Sequence, residues 1–282
     1  MTPPPAPQVL PEDAVSAAVP PPGTPLVEAR GITRRFGALT ALAGVDLDIR
    51  AGEVLALLGD NGAGKTTFVK VLAGAHPASS GTLRIGGEAV QFASPKDAAR
   101  AGIATIYQEL ALSENLTVAE NVFLGQELTR RILGVPFLRR AEMRSRVAGL
   151  LRTLDAHIHD TRALVGGLSG GQRQAVAIAR ALHLKARVVI MDEPTAALAV
   201  AETRKVLSLA RRLAEQGCAV VLISHNISDV FEVADRMCVF RRGHKIAERT
   251  RAETDPDEIV SLITGAHPAA RAIDEQHNNR RG

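Results

Sequence analysis

The chain reads Gly59-Asp60-Asn61-Gly62-Ala63-Gly64-Lys65-Thr66 directly after the apolar run 54–58 and directly before a segment with helical periodicity. Glycines at these spacings let successive backbone N–H groups converge on an oxyanion at the start of a helix, and the lysine adds a positive charge. A strand, a glycine-rich turn and a helix in this order predict a phosphate-binding loop that holds a nucleoside triphosphate together with Mg²⁺.

The side chains at the end of this loop have separate expected roles. Lys65 is expected to place its ammonium between the β- and γ-phosphates, Thr66 to give Mg²⁺ a hydroxyl ligand, and Thr67 to help hold the α-phosphate. The backbone of residues 59–64 is expected to surround the phosphates. Alone, this loop is compatible with a kinase, a GTPase or several kinds of ATPase, so it indicates only the class of ligand.

Two carboxylates follow another apolar run. Asp192 and Glu193 come directly after residues 188–191, which are predicted to form a buried strand. From the end of that strand Asp192 can reach Mg²⁺ directly or through water, and Glu193 can face the γ-phosphate. A carboxylate in that position can accept a proton from the attacking water, or orient it, as a general base. An ordinary acidic turn is the alternative, and the phosphate loop upstream makes it the weaker one.

A second phosphate-binding pattern opens a later helix. The chain reads Leu168-Ser169-Gly170-Gly171-Gln172, in which the glycines permit close approach of a large anion and the Ser169 hydroxyl is a donor. The positive end of the following helix points to the same place. A P-loop kinase, one of the remaining hypotheses, has no use for a second phosphate-binding device that faces away from its own nucleotide.

Taken together, these motifs resemble those of the ATP-binding subunits of ABC transporters over residues 26–266. The resemblance implies that Phe36 stacks on adenine and that His225 contacts the γ-phosphate and helps to position the water. It also implies that Gln108 senses the γ-phosphate, ligates Mg²⁺ and contacts a transmembrane partner. Ala199 departs from the family pattern, which often has Asp there to couple two ATP sites.

The resemblance further implies that one chain carries only half of each ATP site. Two copies are expected to pack head to tail as a homodimer. The phosphate loop, Gln108, Asp192 and Glu193 of one copy would then hold MgATP, while residues 169–172 of the other close on its γ-phosphate. Hydrolysis would weaken this contact and open the dimer, which would move the membrane partner.

The amino-acid sequence at 103–109, 116–125 and 193–198 is similar to that of the ATP-binding subunits of bacterial carbohydrate importers. This resemblance implies an ATPase that powers uptake of a monosaccharide such as fructose, ribose or xylose through permease subunits, served indirectly by a periplasmic sugar-binding protein. The chain would be peripheral, on the cytoplasmic face of the inner membrane. A soluble ABC ATPase that does not serve transport is the alternative function.

The order of elements predicts an α/β fold: a P-loop NTPase with a RecA-like mixed-sheet core, an N-terminal antiparallel β part and an inserted helical subdomain at about 94–181. Residues 1–25 are proline-rich and predict a disordered leader, 26–265 form the ATP-binding domain, and 266–282 predict a flexible tail. Strands are predicted at 26–33, 45–49, 54–58, 188–191, 219–223, 237–240 and 245–247.

Composition limits the class of protein further. Of the 282 residues, 46% are hydrophobic and 23% are charged, as in ordinary globular proteins, and the net charge is +4. The longest apolar runs, 54–58 and 218–223, are far shorter than the roughly 20 residues that cross a bilayer.

Arginines cluster within 130–152 without interleaved aromatic residues, which favours a solvated helical face over a nucleic-acid surface. An anionic lipid surface is another partner that this cluster allows.

Overall fold

The computed structural model describes residues 20–107, 110–132, 135–196 and 198–279. Gln108 and most of the predicted leader lie outside these ranges. The strands, in chain order, are β1 Pro25–Phe36, β2 Leu39–Arg50, β3 Val54–Leu58, β4 Ser80–Ile85, β5 Glu88–Val90, β6 Ile103–Ile106, β7 Thr129–Ile132, β8 Val135–Leu138, β9 Val188–Asp192, β10 Ala219–Ile223, β11 Arg236–Arg241 and β12 His244–Thr250. The helices are α1 Lys65–Leu72, α2 Pro95–Arg100, α3 Val118–Phe123, α4 Arg140–Thr153, α5 Gly170–His183, α6 Val200–Glu215, α7 Ile227–Val233, α8 Pro256–Thr264 and α9 Pro268–Asn279.

The central sheet has six strands in the order β12-β11-β3-β10-β9-β6. Its neighbours pair in parallel except β12, which runs antiparallel to β11. The carboxyl ends of β3, β9 and β10 therefore lie side by side, at the edge where ligands bind in open α/β sheets. The phosphate loop follows β3, Asp192 ends β9 and His225 follows β10, so the topology places all three at this edge. The predicted mixed sheet is confirmed.

The two faces of this sheet are covered by different layers. Strand β3 is buried along its whole length, and its side chains alternate between the two layers. Val54, Ala56 and Leu58 pack into a cluster with α5, α6 and α7. Leu55 and Leu57 pack with α1 and with the antiparallel sheet. Burial on both faces explains why β3 reads as a continuous apolar run.

The antiparallel sheet has four strands in the order β2-β1-β4-β5. Strands β1 and β2 form a long hairpin whose last pair joins Phe36 to Leu39. The predicted N-terminal β part is therefore confirmed. Its first strand begins at Pro25, and just before it the Gly23 amide donates to the Ala51 carbonyl at 2.9 Å. The end of the segment predicted as a disordered leader is thus bonded to the turn after β2.

Helix starts follow the sequence signals. Ser94 caps α2, with Pro95 in its first turn, and Asp97 completes a capping box. Thr117 and Glu120 form the predicted capping box of α3, in which the Glu120 amide donates to the Thr117 hydroxyl oxygen at 3.2 Å. Such caps satisfy backbone donors that the first helical turn leaves unpaired.

The predicted helical insertion differs from the structure at two places. Strand β6 pairs with β9 inside the central sheet, so residues 103–106 belong to the core and not to the insertion. Strands β7 and β8 form an antiparallel hairpin between α3 and α4. Arg130 and Arg131 therefore lie on a strand and not on the helical face that their spacing suggested. The remaining insertion contains α3, α4 and the start of α5.

The predicted flexible tail contains a helix instead. Asp274 on α9 accepts hydrogen bonds from Arg241 Nε at 2.9 Å and from Arg241 Nη2 at 2.7 Å. Ala270 on the same helix is fully buried. Buried Ala270 and the ion pairs of Asp274 with Arg241 and Arg242 hold α9 in place, a pattern too short to appear as apolar periodicity. No helix among the described residues is both long and apolar enough to cross a bilayer.

Candidate nucleotide site

The phosphate loop depends on glycine at its two ends. Gly59 has φ +142°, and a Cβ there would lie 2.3 Å from the backbone oxygen of Phe240. Gly64 is the N-cap of α1 with φ 111°, and a Cβ there would lie 3.0 Å from the Ala41 carbonyl oxygen. Any side chain at Gly59 would displace the loop from β11. These glycines therefore let the loop turn tightly between β3 and α1.

Lys65 is the first residue of α1, and its side chain folds back under the loop. Its Nζ donates to the carbonyl oxygen of Gly59 at 2.6 Å and to that of Asp60 at 3.0 Å. The residue is only 6% exposed. Burial lowers the pKa of this ammonium, while Glu193, Asp60 and Asp192 act against the shift. The lysine is thus a largely desolvated cation fixed beneath the loop.

The loop, α1 and the ends of two core strands enclose a cavity of about 160 Å³. Its polar lining comes from the loop, from the first turn of α1 and from the two side chains at the carboxyl edge of the sheet. The lining residues are Ala41, Asn61, Gly62, Ala63, Gly64, Lys65, Thr66, Thr67, Glu193, Ile223 and His225. Most of the residues predicted to hold the triphosphate therefore converge on one cavity.

The two acidic residues after β9 have different surroundings. Asp192 ends the strand, and burial raises the pKa of its carboxyl, with the neighbouring Glu193 charge adding to the shift and Lys65 opposing it. Glu193 adopts φ 50°, in the left-handed region that non-glycine residues rarely occupy. Its amide donates to the Ile223 carbonyl at 3.0 Å. This strained backbone directs the Glu193 side chain into the cavity.

His225 and Glu193 meet across the cavity. The Nε2 atom of His225 lies 2.7 Å from Oε1 of Glu193. The imidazole is about half exposed, whereas the carboxylate is 30% exposed. An imidazole N–H that donates to a carboxylate fixes the direction of both side chains. The pair can therefore orient a proton acceptor towards a ligand on the phosphate loop.

The residues at this edge fit a Mg²⁺ ion. A hydroxyl from Thr66 and a carboxylate from Asp192 are the hard oxygen donors that this ion prefers. Asp192 is desolvated beside a second carboxylate, a setting in which a divalent cation relieves repulsion. The third predicted ligand, Gln108, lies outside the described residues. Within the described ranges, no group of three or more His, Cys, Asp or Glu residues forms a further metal cluster.

Ser169 to Gln172 begin α5 as a closed capping box. Gln172 N donates to Ser169 Oγ at 3.4 Å, and Ser169 N donates to Gln172 Oε1 at 3.0 Å. Gln172 Nε2 also donates to the His157 carbonyl at 2.9 Å. Gly170 packs close to the segment after β9, since a Cβ there would lie 2.7 Å from Leu198 Cδ2. The backbone at this helix start is therefore rigid, with Ser169 exposed.

The structure does not bring this helix start to the phosphate loop. Ser169, Gly171 and Gln172 line a different cavity, of about 360 Å³, with residues of α6. That cavity and the one at the phosphate loop share no lining residue. One chain therefore presents its two phosphate-binding patterns at separate places.

Phe36 lies at the hairpin end of β1, 41% exposed. The guanidinium carbon of Arg34 is 4.5 Å from its ring centroid. The ring of His76 meets it edge-on, with 5.5 Å between centroids. Arg34 is itself anchored by donating to the Pro77 carbonyl at 2.8 Å. The sequence alone indicates neither ring partner, because no motif links Phe36 to Arg34, two residues before it, or to His76, 40 residues after it.

The fold and the cavity at the carboxyl edge define the class: this is a P-loop nucleotide-binding domain. The sequence pattern of the ABC transporter family matches residues 42–196, and the chain belongs to that family. The family and the fold predicted from the motifs are thereby confirmed.

Two relatives that this chain covers over nearly their whole length are named as import ATP-binding proteins. The xylose/arabinose import ATP-binding protein of Sulfolobus acidocaldarius is 48% identical over 239 residues, which cover 85% of this chain and 94% of the relative. The fructose import ATP-binding protein of Rhizobium meliloti is 44% identical over 254 residues, covering 88% and 98%. The ribose import ATP-binding protein of Yersinia pestis is 45% identical over 241 residues, 86% of this chain. The chain spans about half the length of that relative, 46%.

Solved structures show the same fold. A dimeric ATP-binding cassette in a post-hydrolysis state, bound to ADP and Pi, superimposes with a TM-score of 0.66 at 26% identity. The match covers 80% of this chain and 98% of that cassette. That cassette is a nucleotide-bound dimer.

Proposed function

We propose that this chain is the ATP-hydrolysing subunit of an ABC importer that moves a monosaccharide such as fructose, ribose or xylose through a transmembrane permease. The carrying observation is the cavity at the carboxyl edge of the sheet, where the phosphate loop, Lys65, Glu193 and His225 converge. The full-length relatives named for sugar import support the substrate class.

Each group in the cavity has a defined task. The loop amides and the ammonium of Lys65 bind the phosphates and offset the charge that develops on the γ-phosphoryl group. Glu193 accepts a proton from the attacking water, and His225 keeps the carboxylate turned towards it through the 2.7 Å contact. Phe36 offers the adenine an exposed aromatic ring.

Mg²⁺ belongs to this reaction as part of the nucleotide complex. Thr66 and Asp192 would hold the ion, with Gln108 as a further ligand. When bound, it supplies positive charge that neutralises the β- and γ-phosphate oxygens during transfer. Burial and the neighbouring Glu193 charge raise the pKa of Asp192, and a bound cation would oppose that shift because it favours the charged carboxylate.

A second copy of the chain completes the site. The helix start at Ser169–Gln172 exposes a hydroxyl and a positive helix end but lines a separate cavity from the phosphate loop. A head-to-tail homodimer brings the helix start of one copy onto the nucleotide held by the other, twice by symmetry. The matched cassette that is dimeric with ADP and Pi supports this arrangement.

The permease docks beside Gln108. Residues on both sides of that position, Tyr107 and Leu110, line an apolar cavity of about 300 Å³ between α2, β6 and α5. Tyr107 is 38% exposed there. A concave apolar surface of this kind accepts a helical segment from a partner. Docking places the chain peripherally on the cytoplasmic face of the inner membrane, with a periplasmic sugar-binding protein acting on the permease from the other side.

The experiment is co-purification with the cognate permease, followed by ATPase assays with binding protein loaded with single sugars. We expect one monosaccharide to stimulate hydrolysis. Stimulation by an unrelated solute alone would contradict the substrate class. Full activity of the chain without any permease partner would favour the soluble ABC ATPase instead.

A further inference from the structure

A partly buried hydrogen bond fastens the segment after Glu193 to helix α7. Thr195 Oγ1 donates to Asp229 Oδ2 at 3.0 Å. Asp229 is only 8% exposed, although it carries a carboxylate. A carboxylate is rarely this buried unless its partners hold it. The Asp229 amide in turn donates to the Asn226 side-chain oxygen at 3.4 Å, which caps α7.

This bond joins the two segments that carry the catalytic pair. Thr195 lies two residues after Glu193, and Asp229 lies four residues after His225. The same segments are linked at the Glu193 amide, which donates to the Ile223 carbonyl at 3.0 Å, and at the Glu193 to His225 contact of 2.7 Å. Thr195 and Asp229 therefore supply a third tie, and neither residue lines the cavity at the phosphate loop.

The far end of the segment has a weaker attachment. Helix α6 begins after Ala199, which provides no side-chain cap. Apart from residue 197, which lies outside the described ranges, the segment from Glu193 to Ala199 is thus fixed mainly at its start. A strained Glu193 at φ 50° needs neighbours that hold it.

We propose that Thr195 and Asp229 are positioning residues for hydrolysis, because their bond keeps Glu193 and His225 in contact. The inference rests on the proposed ATPase function. A misplaced general base loses rate while nucleotide binding is unaffected, since the phosphate loop is not touched.

The test compares Thr195→Val, Thr195→Ser and Asp229→Ala with the wild type. Thr195→Val and Asp229→Ala each remove one partner of the bond and should lower kcat roughly ten- to hundredfold with KM for ATP little changed, whereas Thr195→Ser keeps the hydroxyl and should restore most of the rate. The matched control is Thr254→Val, which removes a comparable threonine to carboxylate bond, Thr254 Oγ1 to Glu258 at 2.7 Å, on α8. Thermal melting checks that each variant is folded.

Three results would overturn the inference: equal kcat for Thr195→Val and Thr254→Val, failure of Thr195→Ser to restore the rate, or a loss confined to KM. If the wild type itself hydrolyses no ATP with its permease, the proposed function fails. If the wild type is active and Thr195→Val equally so, only the positioning role fails.

A separate observation concerns the hairpin formed by β7 and β8. Its described side chains are all exposed, including Val135 at 54% and Phe137 at 50%. The register pairs Arg130 with Phe137 and Ile132 with Val135, so these four side chains share one face. Ile132, Val135 and Phe137 therefore lie next to the guanidinium of Arg130. Exposed apolar and basic side chains occur together in this way on segments that bind a membrane interface.

The charge of this region has one sign. No acidic residue occurs from 128 to 141, whereas Arg130, Arg131, Arg139 and Arg140 do. Arg139 pairs with Glu142 at 2.5 Å, and no ion pair involves Arg130 or Arg131 within the described part of the chain. Basic groups next to a bilayer are attracted to anionic lipid.

The geometry points to the β7–β8 hairpin as a contact for an anionic lipid surface, with the apolar face at the headgroup level and the arginines on the phosphates. Purified chain should co-sediment with vesicles that contain phosphatidylglycerol and much less with phosphatidylcholine alone. Ile132→Ser with Phe137→Ser, and Arg130→Glu with Arg131→Glu, should each lower the bound fraction severalfold. Lys96→Glu with Arg100→Glu on α2 is the control with equal charge change and should not.

Equal sedimentation of the hairpin variants and the α2 control would overturn this second inference. Absence of vesicle binding would also overturn it, as would hairpin-dependent binding to the permease in detergent without any to vesicles. The assay needs neither ATP nor permease, so its failure leaves the proposed ATPase function untouched.

Discussion

Glu193 combines a strained backbone, a charged side chain and a position in the cavity at the phosphate loop. Its backbone lies in the left-handed region, its carboxylate contacts His225, and it lines the same cavity as Lys65 and Thr66. Such strain persists only where surrounding contacts determine the conformation. At the scale of single residues, the proposed chemistry would therefore depend on a carboxylate that the fold holds in an unfavourable conformation.

Replacement of Glu193 by Gln should stop hydrolysis and preserve ATP binding. The amide keeps the size of the side chain and can still contact His225, but it cannot accept the proton of water. We expect kcat to fall roughly a hundredfold or more, as for loss of a general base, while the affinity for ATP stays near that of the wild type. Phosphate release at the normal rate from the purified variant would show that another group is the base.

Gly59→Ala should abolish nucleotide binding. The new Cβ would lie 2.3 Å from the Phe240 carbonyl oxygen, so the loop must leave β11. Gly87→Ala is the matched control, because Gly87 also has positive φ, +86°, but a Cβ there meets nothing within 4 Å. The control should lose about 1–3 kcal/mol of stability from strain alone and keep its affinity in a nucleotide titration. Equal affinities for the two variants would contradict this account of the loop.

At the scale of elements, helix α6 begins without a cap. Its N-cap is Ala199, whose carbonyl accepts from Glu202 and Thr203 but whose side chain offers no acceptor. The segment before it is tied to α7 through Thr195. Among the described residues, Ala199 therefore gives the start of α6 no side-chain cap.

Ala199→Asp should stabilise the protein. An aspartate at the N-cap accepts from the amides of the first turn and interacts favourably with the helix dipole, which contributes about 0.5–2 kcal/mol. Urea unfolding should show a higher midpoint at an unchanged slope. Ala199→Leu is the control, since it adds volume without an acceptor. A midpoint for the aspartate variant at or below that of the control would contradict the capping argument.

The sequence predicts the elements that carry continuous signals. Apolar runs locate β3, β9 and β10, and the capping box at Thr117 locates α3, because these signals are local. The hairpin β7–β8 was missed because its side chains are exposed and show no buried alternation. Helix α9 was missed because ion pairs of Asp274 with Arg241 and Arg242 hold it, and Arg241 lies 33 residues before Asp274 in sequence.

The candidate site shows the same division. Spacing alone indicates the loop from Gly59 to Thr66 and the carboxylates after β9. It cannot indicate that His225 contacts Glu193, because that contact depends on the placement of β10 beside β9 in the sheet. Nor can it indicate that Arg34 covers a face of Phe36, because that contact depends on the conformations of two side chains on β1. The roles of the site residues remain predictions that the variants above test.

At the scale of the whole molecule, the two phosphate-binding patterns occupy different cavities. A single chain therefore binds nucleotide from one side only, and ATP is expected to act as a contact between two copies. Under the proposed function, hydrolysis is expected to weaken the closed dimer, because the products bind the closed state less tightly than ATP does, and the opening would move the docked permease. Isolated monomers should bind ATP but hydrolyse it slowly, with a rate that rises with protein concentration.

The most direct measurement is sedimentation velocity of the Glu193→Gln variant with and without MgATP. The account predicts monomers without nucleotide and dimers with it. A second substitution, Ser169→Arg, should return the protein to monomers although it still binds ATP, because only the partner-facing helix start is changed. A variant that stays monomeric in saturating MgATP, or a Ser169→Arg protein that dimerises as well as its parent, would contradict the claim that each site is built from two copies.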